Sequence, residues 1–291
     1  MKILVLGTNG QVGSELMRAA QLARLDVVGF AHGELDITDS VGVDAAILKH
    51  NPTCVINAAA YTAVDRAETD KESAFAINRD GPINITRSCA KVGASLISFS
   101  TDYVFDGRKL TPYDESDPIC PLSVYGESKA AGEAAIRSIW ANHLILRTSW
   151  VFGIHGTNFV KTILRLASQR DELRIVSDQS GCPTGAAGLA EATMTCIRRI
   201  AAGNVEWGTY HLAGRGPTTW HDFAAAILKI AAPTLPRSPR LVAITTAEYP
   251  TAAHRPENSV LNCSRISSRL GISQPSWEDE LKRVVSHVVG S

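Results

Sequence analysis

Residues 2–23 constrain the fold more than any other stretch of the chain. Ile3-Leu4-Val5-Leu6 is a short β-rich run. Gly7, Gly10 and Gly13 follow at G-x-x-G-x-x-G spacing, and Ser14 to Ala23 has the composition of a helix. Strand, glycine turn and helix in that order make a dinucleotide-binding unit. The first glycine permits the tight turn, the next lets the backbone approach a pyrophosphate, and the last allows close helix–strand packing. The helix N-terminus adds unpaired N–H groups and a positive dipole end. Taken alone, such a glycine motif is also compatible with an ordinary turn; its place directly after the first strand favours the ligand-binding reading.

The alternation continues along the chain. Asp26 to Phe30 is a second strand, and Thr38 and Asp39 are placed to cap a helix that ends at His50. Thr53 to Asn57 is a third strand, Ala63 to Gly93 reads as helical with an interruption near Asp80-Gly81-Pro82, and Ala94 to Phe99 is a fourth strand. Tyr125 to Trp140 is a helix and His143 to Leu146 a fifth strand. Strands alternating with helices predict an α/β fold, a Rossmann doubly wound parallel sheet, with ligands beyond the carboxyl ends of the strands. Residues 1–149 form the expected dinucleotide-binding domain, joined by the helix at 186–202.

After Trp150 the texture changes. Helices are expected at 158–167, 186–201, 220–231 and 277–289, with Thr219 and Ser276 as caps of the last two. Strands are expected at 173–176, at 209–213 and just after Ser259. Residues 178–184 are turn-rich and 233–239 proline-rich. These elements read as a smaller α/β substrate domain, 150–291, interleaved with the first.

Composition excludes some partners. The 291 residues carry a formal net charge of +0 and no polybasic stretch, which argues against nucleic acid or an anionic membrane surface. The apolar run at 3–6 is too short for a signal peptide, and no stretch approaches a membrane span. Six cysteines are scattered without a Cys-x-x-Cys pair. They read as reduced residues of a cytoplasmic protein, without a metal or disulfide role.

The chemistry gathers at two places. Tyr125 and Lys129 stand four residues apart at a helix start, and such residues share a face. The ammonium is expected to lower the Tyr125 pKa from its reference of about 10, giving a proton donor near neutral pH. The fourth strand ends in Ser100-Thr101-Asp102, hydroxyls followed by a carboxylate. A Tyr-x-x-x-Lys pair alone is more often a solvated helix face; here the neighbouring motifs all fall at strand carboxyl ends. The second strand has no acid before Glu34 to hold a ribose 2′-OH, which leaves room for a 2′-phosphate. NADPH therefore fits as well as NADH.

Together these motifs resemble the extended short-chain dehydrogenase/reductases, and within them the dTDP-4-dehydrorhamnose reductase family. The resemblance rests on Gly7 to Gly13, Asn57 to Asp65, Ser100 to Phe105, Tyr125 to Lys129, Arg147 to Phe152, Asp178 to Thr184, Thr218 to His221 and Arg255-Pro256-x-Asn258-Ser259. It implies reduction of the 4-keto group of dTDP-4-dehydro-β-L-rhamnose by NADPH or NADH. It also implies a catalytic set of Thr101, Tyr125 and Lys129. Cofactor contacts implied are Gly7, Gly10, Gln11, Val12 and Gly13 at the pyrophosphate, Asp36 and Ile37 near the adenine, and Ala60, Tyr61, Thr62 and Phe99 further along. Thr101, Asp102, Trp150 and Arg255 are implied on the dTDP-sugar side. Some members of the family join dimers through a magnesium ion held by glutamates. Glu15 is present, but Gly185-Ala186-Ala187 follows the Asp178–Thr184 motif without a carboxylate. A monomer or homodimer without a bridging metal is expected. Two other readings stay open: a non-catalytic NADP-binding regulatory subunit, and an epimerase or reductase of another sugar nucleotide.

Overall fold

The structure, a computed structural model, describes residues 1–290. Its first half follows the expected alternation: β1 (Lys2–Leu6), α1 (Gln11–Leu22), β2 (Asp26–Phe30), α2 (Ser40–His50), β3 (Cys54–Asn57), α3 (Val64–Ala67), α4 (Lys71–Phe75), α5 (Gly81–Val92), β4 (Ser95–Thr101), α6 (Val124–Ile139) and β5 (His143–Thr148). The expected interruption near Asp80 is a π-helical turn, Ala76–Asp80, between α4 and α5. The second half holds β6 (Val151–Phe152), α7 (Phe159–Ala167), β7 (Glu172–Val176), β8 (Ser180–Gly181), β9 (Thr184–Gly185), α8 (Ala186–Ala201), β10 (Gly208–His211), β11 (Thr218–Thr219), α9 (Trp220–Ala231), β12 (Arg240–Ile244), α10 (Ser264–Leu270) and α11 (Trp277–Gly290).

A six-stranded parallel sheet in the order β10-β5-β4-β3-β1-β2 carries the molecule. Its four central strands, β5, β4, β3 and β1, are buried on both faces, as a doubly wound sheet requires. In β1, Ile3 and Val5 join a core shared with α1 and α8, while Leu4 and Leu6 join one shared with α2 and α5. Helix α8 lies against α1, and β10 supplies the sixth strand from late in the chain. A third core, around Phe152, Phe223 and Leu281, joins α7, α9 and α11 beside the two-stranded β7–β12 sheet. Among the described residues no helix is long and apolar enough to cross a membrane.

Several elements differ from expectation. The fourth strand runs two residues further, to Thr101, because Ser100 and Thr101 pair with Arg147 and Thr148 of β5. The strand expected after Ser259 is only isolated bridges, Asn258 to Ser180 and Leu261 to Tyr113. Strand β12 and helix α10 went unread; β12 directly follows the proline-rich stretch and exists because it pairs with β7.

Behind the sheet's carboxyl edge lies a buried ion pair. Arg147 of β5 donates Nε to Glu133 Oε1 at 2.9 Å and Nη2 to Oε2 at 2.7 Å, and both side chains are only 2% exposed. Ser100 of β4 donates to Glu133 Oε1 at 2.6 Å, and Arg137 reaches Oε2 at 2.9 Å. The cations hold the Glu133 carboxyl below its usual range despite burial. Removing one partner leaves the other charge buried without compensation. Glu133→Gln is therefore expected to lose about 3–5 kcal/mol of stability, whereas Glu133→Leu/Arg147→Met, which removes both charges, loses less; urea unfolding of the variants measures both.

Candidate active site

Three elements converge at the carboxyl edge of the sheet. Thr101 ends β4, where a short turn of 3-10 helix, Asp102–Val104, begins. Tyr125 and Lys129 project from the first turns of α6, whose N-cap Ser123 accepts from the Gly126 N–H at 3.2 Å. Lys129, 6% exposed, donates Nζ to the Phe99 carbonyl at 2.7 Å and so ties α6 to β4. Tyr125 lies within hydrogen-bonding reach of Thr101, and its ring meets Tyr103 edge-on at 6.0 Å.

The electrostatics correct one expectation. Lys129 does not depress Tyr125 here. Desolvation pushes the phenol up to about 12, opposed by the Thr101 hydrogen bond and assisted by the nearby Asp102 charge. The ammonium is itself pushed down to about 8 by burial, with Glu133 one turn on resisting the shift. Four-residue spacing set the two side chains on one face, but the dielectric around them decided the sign.

The cofactor residues fall at one end of the sheet. Gly7 has φ +85°, a left-handed conformation that favours glycine, and a Cβ at Gly13 would stand 2.1 Å from the Gly7 carbonyl oxygen. The turn and α1 therefore approach as closely as backbones can. Gly10 is the N-cap of α1 and no side chain caps that helix, so the N–H groups of Gln11, Val12 and Gly13 stay free for an anion. A cleft of about 380 Å³ is lined by Gly7, Gly10, Asp36, Ile37, Ala60, Tyr61 and Thr62, with His32 on its wall. Glu34 turns its carboxylate back onto the Ala31 N–H at 2.7 Å, so it does not occupy the place of a ribose-binding acid. These donors and this cradle fit a nicotinamide dinucleotide with or without a 2′-phosphate. Phe99 lies deeper, beside Lys129 and away from that cleft.

The residues expected on the sugar side are more dispersed. Trp150, at φ +47°, stacks flat on Trp220 with ring centroids 3.5 Å apart. A bulky residue in the left-handed region is a strained placement. Asp102 is 2% exposed and turned inward. Arg255 lines a second cleft, of about 360 Å³, with Trp220, Gln179 and Phe159. Its fork is held by Asp65, Nη1 to Oδ1 at 3.1 Å and Nη2 to Oδ2 at 2.6 Å, and also donates to Thr251. Asp65 stands two residues beyond Ala63, the last of the Ala60–Ala63 wall of the first cleft.

Sequence reasoning missed the supports of the site. Asn78, in the π-helical turn, accepts from the Tyr61 N–H at 2.9 Å and donates to the Tyr61 carbonyl and to Ser128, both at 3.0 Å. It fastens the cofactor-side loop to α6. Glu133 carried no expectation, and Asp65, named within the Asn57–Asp65 motif, carried none of pairing with Arg255. The one available signal was Glu133's spacing, four residues after Lys129, among alanines.

A family model described as the RmlD substrate binding domain matches residues 1–289. The chain is 41% identical over 287 residues to a dTDP-4-dehydrorhamnose reductase of Sinorhizobium fredii, covering 98% of this chain and 97% of that one. It is 43% identical to a protein of the same name from Shigella flexneri, with 99% and 98% covered. A dTDP-4-dehydrorhamnose reductase structure from Bacillus anthracis, in complex with NADP, superimposes with TM-score 0.92 at 35% identity, covering 98% of this chain and 99% of that one.

The buried ammonium has a measurable cost. The unfolded state keeps Lys129 protonated up to about 10.4, whereas the folded state releases the proton at about 8. Below about 8 both states are charged and the full penalty of burying the charge is present. It is relieved as pH rises towards about 10, because the unfolded state then binds more protons than the folded one. Lys129→Met is expected to escape a charge-burial cost of up to about 3 kcal/mol at neutral pH, offset at every pH by loss of the bond to the Phe99 carbonyl. The charge-burial part should vanish by about pH 10, as denaturant titrations of both proteins across pH will measure.

Proposed function

The chain belongs to the RmlD substrate binding domain family, and from that membership and the site we propose that it is an NAD(P)H-dependent dTDP-4-dehydrorhamnose reductase. It reduces the 4-keto group of dTDP-4-dehydro-β-L-rhamnose to give dTDP-L-rhamnose, the last step in making this activated sugar for cell-surface polysaccharide. The observation that carries the reading is the convergence of Thr101, Tyr125 and Lys129 beside an uncapped glycine-turn helix. A regulatory subunit that only binds nucleotide has no use for a buried ammonium behind a tyrosine.

When bound, the reduced nicotinamide supplies a hydride to the sugar C4. Tyr125 gives its hydroxyl proton to the C4 oxygen, so that no free alkoxide builds up. A phenol that stays protonated throughout the neutral range suits this direction of reaction. Lys129, fixed by the Phe99 carbonyl, keeps a positive charge beside the tyrosinate and retains N–H donors for the cofactor ribose. Thr101 hydrogen-bonds the same oxygen and polarises the carbonyl. Gly7, Gly10, Gln11, Val12 and Gly13 hold the pyrophosphate, with Asp36, Ile37, Ala60, Tyr61, Thr62 and Phe99 along the remaining length of the cofactor. Trp150 and Arg255 serve the nucleotide-sugar side, Arg255 by the donors that Asp65 leaves unused.

The division of labour follows the fold: 1–149 with the helix at 186–202 for the cofactor, and 150–291 for the sugar nucleotide. The protein works in the cytoplasm, as a monomer or a homodimer without a bridging metal. Glu15 is paired with Arg18 at 2.7 Å, and Glu280, across the same cleft, accepts from the Gly188 N–H at 2.7 Å and from Arg283 at 3.2 Å. One oxygen of each carboxylate is thus engaged by guanidinium or amide protons, while Glu280 Oε2 has no hydrogen-bond partner.

NADPH is expected to be consumed only when a 4-keto sugar nucleotide is added, the dTDP-linked sugar being turned over best. Tyr125→Phe should lower kcat by about 10²–10⁴ while NADPH still binds, seen as fluorescence quenching. Full turnover by that variant rejects the assigned acid. Tightly retained cofactor with no net NADPH consumption would instead mark an epimerase.

A further inference from the structure

The hydrogen bonds around Thr101 leave its hydroxyl no spare proton for a substrate. A threonine hydroxyl has one O–H to donate and two lone pairs to accept with. The Thr101 hydroxyl donates to Asp102 Oδ1 at 3.1 Å. One lone pair accepts from the Tyr103 N–H at 3.2 Å. With Asp102 ionised, the Thr101 hydrogen is spent on the carboxylate and does not point at a ligand. Asp102 is itself anomalous: it is 2% exposed, and Oδ2 has no hydrogen-bond partner. A buried carboxylate oxygen without a partner is costly, and protonation removes that cost.

We propose that Asp102 is a positioning residue that switches the Thr101 hydroxyl. As the neutral acid it donates to Thr101 Oγ1 and leaves the Thr101 hydrogen for the substrate's 4-keto oxygen; as the carboxylate it takes the Thr101 hydrogen and closes the site. This rests on the reading of Thr101 and Tyr125 as the pair that receives that oxygen. The switch changes no bond order in the substrate: one proton moves between Asp102 and solvent, and the rest is rotation of hydroxyls.

The surroundings suit a group that titrates in the neutral range. Burial raises the Asp102 carboxyl to about 7, opposed by Ser259, by Thr101 and by nearby backbone N–H groups. The titratable groups that face it are Tyr103 on its own turn, Tyr125 from α6 and Cys182 from the turn between β8 and β9, each shifted further towards its neutral form by the Asp102 charge. Arg255, the nearest cation in this set, is directed to Tyr103 and Asp65.

Two measurements decide the matter. Infrared spectra of the wild-type protein carrying 13C-labelled aspartate should show a carboxylic-acid band that vanishes as pH rises through about 7. The other aspartates with perturbed carboxyls are held lower and do not contribute there. In turnover, wild-type kcat/KM should fall about tenfold per pH unit above that point. Asp102→Asn carries an amide that donates at every pH. It is expected to work at a reduced rate, without that inflection, keeping only the later fall as Lys129 loses its proton near 8. Absence of the acid band overturns the proposal. So does an unchanged inflection in Asp102→Asn, or a raised KM with an unaltered pH profile, which would mark Asp102 as a direct sugar ligand. If the wild-type chain turned over no 4-keto sugar nucleotide, the functional reading would fall, and the infrared titration would still decide the state of Asp102.

Discussion

The site depends on one buried ion pair that none of the reacting groups belongs to. Glu133 accepts from Arg147 on β5, from Ser100 on β4 and from Arg137 on its own helix, so one carboxylate fixes α6 against two strands. Tyr125, Lys129 and Glu133 follow one another at four-residue spacing, one stripe of α6 pointing at the sheet. Locking the lowest member of that stripe sets the rotation of the helix. Rotation of the helix in turn sets where the phenol and the ammonium stand relative to Thr101. Arg147 also lies against the Phe105 ring, 5.1 Å from its centroid, which carries the constraint on towards the segment after Asp102.

Burial then gives the site its chemistry, at a cost in stability. Lys129, Tyr125 and Asp102 each sit where the charged form is disfavoured. Water would relax these shifts and weaken the directed hydrogen bonds that come with them. Around these side chains stand the Asn78 fastening of the cofactor-side loop, the flat Trp150–Trp220 stack and the Asp65–Arg255 pair. That last pair draws residues 190 apart in the chain onto one clasp.

Much of this was legible in the sequence where the signal is local. The glycine turn, the Asp39, Ser276 and Thr219 caps and the run of alternating strands and helices all depend on neighbours within a few residues, and all form as expected. The shared helix face of Tyr125 and Lys129 was legible for the same reason, whereas the role expected of Thr101 came from the resemblance. Strand β12 was not, because its backbone is satisfied only by a partner strand far back in the chain. The influence of Lys129 on Tyr125 was misjudged because spacing reports which face two residues share and says nothing of the dielectric there.

The sequence by itself determined the order of elements, the parallel sheet and the residues able to carry acid and charge, because those follow from periodicity, turn stereochemistry and side-chain type. Tertiary structure alone decided how the hydroxyls are aimed, which carboxylate oxygens are left without a partner, and that Arg255 is clasped by Asp65. The physical reason is that protonation and hydrogen-bond direction depend on desolvation and on partners brought from distant positions. Neither quantity exists until the chain has closed around the site.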